Sequence, residues 1–174
     1  MIVKNATQVG NPIIRKKSAS VRGIPNSKKT GRIVRNLIDS MRYHNLVGMA
    51  APQIGINQRI FVSEIRKTKM RRSTGDDPVR VFINPRIMSS SREQVLGYEG
   101  CGSVANAGLF GNVKRARSVI VEAFNENGQK FKLSANGLLA RIIQHETDHL
   151  DGKIFLDRLT DMKSLMSREE YLKR

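Results

Sequence analysis

An α+β fold is what this sequence predicts, and three observations predict it. Apolar residues recur at helical spacing near the N-terminus, at Ile33, Val34, Leu37, Ile38 and Met41. A second helical pattern covers 138–150 and contains His145-Glu146-Thr147-Asp148-His149. Short strand-like runs, bounded by Gly, Pro and Asn-Gly, are grouped between these helices. The expectation is antiparallel β-sheets packed around the central HExxH helix, with an N-terminal and a C-terminal helix. At 174 residues and 39% hydrophobic content, residues 1–174 bury one sizeable core as a single domain.

Each element has its own signal. Ser27 or Thr30 caps the first helix. Gly48-Met49-Ala50-Ala51-Pro52-Gln53-Ile54-Gly55 reads as a small-residue turn with one polar side chain, Gln53. Residues 59–65 and 79–84 read as strands, separated by the charged loop Arg66-Lys67-Thr68-Lys69-Met70-Arg71-Arg72. Residues 118–124 and 130–133 form a hairpin around Asn127-Gly128. The helix over 138–150 is entered after Asn136-Gly137 and left at Asp151-Gly152. A last amphipathic helix covers 164–173.

Two imidazoles at i and i+4 face the same way, roughly 6 Å apart along a helix axis, so both can reach one divalent cation. Glu146 projects about 100° away from His145. It is therefore not a ligand, but it reaches a water on the ion and acts as general base. HExxH also occurs by chance, on helices whose histidines are solvated or are satisfied core residues. Here Leu138 and Ile142 share the face of His145 and His149, with Leu139 and Ile143 close by, which puts the histidines on the apolar side. A catalytic metal site keeps three protein ligands and one open position. The obvious remaining soft candidate is Cys101, the chain's only cysteine, which is an inert buried thiol, a reactive thiol or a ligand. Gly100 and Gly102 beside it mark a bend or a close approach, which favours the functional readings.

In this order and at these separations, GMAAPQIG, EGCGSV and QHETDHLDG resemble the signature stretches of the peptide deformylases. Val81-Phe82-Ile83-Asn84-Pro85 and Asn136-Gly137-Leu138-Leu139-Ala140-Arg141-Ile142-Ile143 extend the likeness, which covers the chain from about residue 10 to 160. The resemblance implies removal of the formyl group from the initiator methionine of nascent proteins, giving formate and a free amine. It implies Cys101, His145 and His149 as ligands of one divalent ion per chain, Fe²⁺ in the cell and replaceable by Zn²⁺ or Ni²⁺ in preparations. Glu146 becomes the proton shuttle, and Gln53 and the backbone N–H of Gly102 become donors to the developing oxyanion. Glu99 and the backbone of Gly48 are implied peptide contacts. Leu138, Arg141 and Ile142 line the methionine pocket, with the aliphatic stem of Arg141 as wall. An ordinary HExxH metallopeptidase fits less well, because its third ligand lies downstream and Cys101 lies upstream.

The chain departs from the family pattern beside the substrate. Leu46 stands where many members have glycine, Gly102 where many have a bulkier residue, and Ala105 replaces a common proline. Asn106-Ala107-Gly108-Leu109-Phe110-Gly111-Asn112 reads as a lengthened loop before Lys114-Arg115, with Gly108 and Gly111 suggesting mobility at the rim of the site.

A net charge of +16, from 31 basic against 15 acidic residues, reflects either a solvated surface or contact with nucleic-acid phosphates. Only 5% of residues are aromatic and no RNA-binding signature appears, so stacking-based recognition is unsupported and no dedicated DNA binding is expected. The alternative function is a low-activity deformylase-like basic protein associated with the ribosome or RNA. The two ideas join, since a deformylase works on nascent chains where Arg15-Lys16-Lys17, Lys28-Lys29 and the loop 66–72 can meet rRNA phosphates. Met1-Ile2-Val3-Lys4-Asn5 lacks the apolar core of a signal peptide, and no apolar run approaches the roughly 18 residues that span a bilayer. The expected compartment is the cytoplasm, or an organelle matrix if a transit peptide was removed.

Overall fold

The structure, a computed structural model, describes residues 2–23, 28–67 and 75–174. Ser27 and positions 68–72 of the basic loop lie outside the described residues. Among those described, eight strands form two antiparallel sheets. The larger sheet contains β1 (Gly48–Ala50), β2 (Ile60–Ile65), β3 (Asp77–Ser90), β6 (Ser118–Phe124) and β7 (Lys130–Asn136), in the order β1-β2-β3-β6-β7. The smaller contains β4 (Gln94–Gly100), β5 (Leu109–Ala116) and β8 (Met166–Ser167), in the order β4-β5-β8.

Helix α1 (Pro12–Arg15) has four residues, too few to show a periodicity in sequence; Pro12 starts it and the Asn11 side chain caps it through Ile13 N–H. Helix α2 (Lys28–Tyr43) begins before Thr30, which lies inside the helix and does not cap it. Its buried stripe of Ile33, Val34, Leu37 and Met41 packs on β1 and β2. Each such side chain contributes about 1.5–3 kcal/mol of burial.

The strand over 79–84 continues through Pro85 to Ser90. Pro85 has no N–H to donate, and it sits where the ladder with β6 shifts register between Ile83 and Arg86. The expected hairpin forms, with Gly128 at φ 75° and the Asn125 side chain accepting from Asn127 and Gln129 N–H.

Two expectations are corrected. The mobile loop over 106–112 is largely strand, since β5 starts at Leu109 and only Ala105–Ala107 form a 3-10 turn. Gly111 pairs with Glu99, and a Cβ there would come within 3.1 Å of Leu165 Cδ2, so this glycine serves close packing. The C-terminal helix over 164–173 shrinks to α4 (Arg168–Tyr171). Met166 and Ser167 take the free edge of β5 instead, pairing with Phe110 and Leu109, and Ser167 then caps α4.

Helix α3 (Gly137–Leu150) begins one residue before the expected start and touches both sheets. Ala140, Ile143 and Leu150 seat it on the large sheet against Phe61, Phe82, Val119 and Val121. The stripe of Leu138, Ile142, His145 and His149 belongs to another face of the helix. That face turns to a cleft beside β4 and the Cys101 loop.

Candidate active site

Cys101 follows β4 directly, and the turn after it brings its thiol to the His145/His149 face of α3. Cys101 Sγ and one ring nitrogen of each histidine lie within 4.8 Å of one another, and Sγ is 3.1 Å from His149 Nε2. A thiolate and two imidazoles at this spacing fit one borderline-soft divalent cation. Burial would push the Cys101 thiol up, but the His149 imidazole and hydrogen bonds from both histidines hold it down at about 5. Glu146 is buried at the edge of this cluster, and its Oε2 has no hydrogen-bond partner among the described residues. Its burial raises the carboxyl to about 7, against the opposing influence of the two imidazoles.

A layer of buried ion pairs fixes the cluster from behind. His145 Nδ1 lies 2.9 Å from Glu99 Oε2, which leaves the other ring nitrogen to face Cys101. Burial works against the charge on Glu99, yet hydrogen bonds from His145 and Arg115 hold its carboxyl well below the usual range. Arg115 grips Glu99 with both Nε and Nη2 at 3.0 Å, and its third nitrogen bonds Asp148, which Arg158 also holds. Arg141 lines the cleft, and its Nη1 donates to Glu99 Oε1 at 2.8 Å and to the Val113 carbonyl, which commits its charge to these acceptors. The Glu99 carboxylate is committed to His145, Arg115 and Arg141.

Gln53 sits in the 3-10 turn Ala51–Ile54 that follows β1. Its Oε1 accepts from Ala50 N–H at 2.8 Å, which points Nε2 at Ser103 Oγ (3.4 Å) and Cys101 Sγ (3.7 Å). An N-terminal segment clamps the turn to the cysteine loop: Thr7 N–H donates to the Gln53 carbonyl, Val9 N–H to that of Ser103, and Gln8 Nε2 to that of Gly102. Gly48 lies against the Glu146 carboxylate, where a Cβ would come within 2.8 Å of Cδ. A Cβ on Gly102 would meet Leu46 Cδ1 at 3.0 Å.

The structure thus brings Gly48, Gln53, Glu99, Cys101, Gly102, Leu138, Arg141, Ile142, His145 and Glu146 to one cleft of about 570 Å³, with His149 buried behind it. Sequence reasoning missed Arg115 and Asp148, because their partners lie 16 and 33 residues away and no local pattern marks them. It also missed the N-terminal clamp and the aromatic wall supplied by Tyr98, Phe110 and Tyr171.

A sequence model of the polypeptide deformylase family matches residues 3–165. The peptide deformylase of Dictyoglomus thermophilum is 39% identical over 160 residues, 92% of this chain and 95% of that protein. Among solved structures, the class I type b peptide deformylase of Acinetobacter baumannii bound to Met-Ala-Ser is 32% identical with a TM-score of 0.86, over 91% of this chain and 99% of that one. The actinonin-bound form of that enzyme superposes with a TM-score of 0.83 at 32% identity, over 92% of this chain and 100% of the other. With the family match spanning nearly the whole chain and the Cys/His/His cluster in place, this chain belongs to the polypeptide deformylase family.

Proposed function

We propose that residues 1–174 form one catalytic domain that hydrolyses the N-formyl group of formyl-methionyl nascent peptides to formate and a free amine. The observation that carries this reading is the buried Glu146 carboxylate, whose Oε2 has no hydrogen-bond partner among the described residues, beside the Cys101, His145 and His149 cluster and the Gln53 amide. Cys101 Sγ, the His145 ring nitrogen turned away from Glu99 and His149 Nε2 would hold one divalent ion, Fe²⁺ in the cell or Zn²⁺ or Ni²⁺ after substitution. Such an ion, when bound, supplies Lewis acidity to the formyl oxygen and acidifies the attacking water.

The remaining steps belong to side chains on this chain. Glu146 takes a proton from the attacking water and delivers it to the nitrogen as the carbon–nitrogen bond breaks. Gln53 Nε2 and the Gly102 N–H donate to the formyl oxygen as it gains negative charge. Leu138, Ile142 and the Arg141 stem enclose the methionine side chain, and the backbone near Gly48 and Glu99 meets the peptide chain. Formate release from a formyl-Met peptide by freshly prepared, anaerobic protein tests the reading. No formate from metal-loaded protein refutes it.

The charge of +16 supports a second interaction, with ribosomal phosphates near the exit of the nascent chain, in the compartment where translation occurs. No described helix is long and apolar enough to cross a membrane. The alternative of a low-activity RNA-associated protein draws no support from the family match.

A further inference from the structure

The cleft does not end at the methionine pocket. Leu138 lies seven residues from His145 on α3, roughly 10 Å along the helix axis, and an extended peptide advances about 3.3 Å per residue. A cleft of about 570 Å³ is on the scale that encloses drug-sized ligands, so it has room beyond a formylated methionine. The C-terminal segment lines it as well, through Arg168, Tyr171 and Leu172.

This segment is built into the site. The Tyr171 ring stacks on Phe110 with centroids 4.2 Å apart and planes 4° from parallel, and it packs on Tyr98 at 5.7 Å. Phe110 in turn lies against Gly100, where a Cβ would come within 2.7 Å of its ring. Gly100 immediately precedes Cys101, so a continuous stack connects the C-terminal segment to the strand that carries the cysteine. At the outer end, Arg174 donates to the Tyr98 hydroxyl at 2.7 Å and sits over its ring. Beside these stacked rings, Leu138 and Leu172 are 38% and 52% exposed, two large apolar side chains lining one cleft.

We infer that Tyr171 and Leu172, which continue the cleft beyond the methionine pocket that Leu138 lines, form a subsite for apolar side chains of the residues that follow the formylmethionine. The inference rests on the deformylase reading and adds a specificity to it. The occupant is the substrate's own chain, because the wall is continuous with the cleft that holds the reacting group. Burying an aliphatic side chain there favours it over a polar one by the hydrophobic effect.

The test compares formyl-Met-Leu-Leu with formyl-Met-Ser-Ser, measured as formate release by the metal-loaded protein. The unmodified protein should favour the first by about tenfold or more in kcat/KM. Leu172→Asp and Tyr171→Ser should each reduce that ratio by at least about threefold, a change in selectivity that general destabilisation does not produce. Leu172 is half-exposed, so its substitution spares the core and decides the matter if Tyr171→Ser fails to fold. Equal rates on the two peptides, or an undiminished ratio in Leu172→Asp, would overturn the inference. No formate from either peptide would instead refute the deformylase reading beneath it.

Discussion

Gly48 and Glu146 share a volume that leaves no room for a methyl group. Gly48→Ala should therefore displace the carboxylate while leaving Cys101, His145 and His149 in place. The expected outcome is unchanged metal content by elemental analysis with kcat lowered about 10²-fold, the scale of a 1 Å misplacement. Glu146→Gln should likewise retain the metal and lose at least about 10²-fold in kcat, whereas Cys101→Ser, His145→Ala and His149→Ala should each lose the metal. Leu46 and Gly102, both departures from the family pattern, are neighbours, and a Cβ at 102 would lie 3.0 Å from Leu46 Cδ1. A leucine at 102 crowds Leu46, so Gly102→Leu should lower kcat/KM and the added Leu46→Gly should restore most of it, a coupling of about 0.5–3 kcal/mol. Additive losses in the four-protein cycle would show that the two sites act independently.

At the scale of elements, α3 is held by charge as well as by its apolar face. Arg115 on β5 joins Glu99 on β4 to Asp148 on α3, with all three side chains nearly buried. Breaking a buried pair strands the partner's charge. Arg115→Met should therefore destabilise the protein by about 3–5 kcal/mol, read as a lowered urea midpoint at unchanged slope. The pairing also explains why Asp148 lies inside HETDH without lining the cleft: its carboxylate is held by Arg115 and Arg158. The C-terminal segment teaches a related lesson. Its helical periodicity over 164–173 loses to the open edge of β5, which offers Met166 and Ser167 a strand partner.

For the whole molecule, the excess of 16 positive charges is the feature that the active site does not use. If several ribosomal phosphates are contacted, counterion release makes binding fall at least about tenfold by about 200 mM salt. Co-sedimentation with ribosomes across that range measures it, and hydrolysis of a short formylated peptide should hardly change because its recognition is local. Salt-insensitive or absent co-sedimentation would assign the charge to solvation alone.

Residues close together in sequence carried most of what could be read in advance. The i, i+4 spacing of His145 and His149, the glycine-flanked Cys101 and the turn around Gln53 are local signals, as are the apolar stripe of α2 and the Asn127-Gly128 hairpin. Each depends on dihedral preference or periodicity within about two turns of chain, so the sequence alone determined it. What depends on partners far along the chain was decided only by tertiary structure. The Glu99 carboxylate is enclosed by Arg115, Arg141 and His145 only because β4, β5 and α3 come together around it. The clamp from Thr7, Gln8 and Val9 and the wall from Tyr171 likewise form between segments about 50 to 100 residues apart. Backbone hydrogen bonds, buried ion pairs and ring stacking over such separations leave no period in a sequence, because chain packing alone makes the partners neighbours.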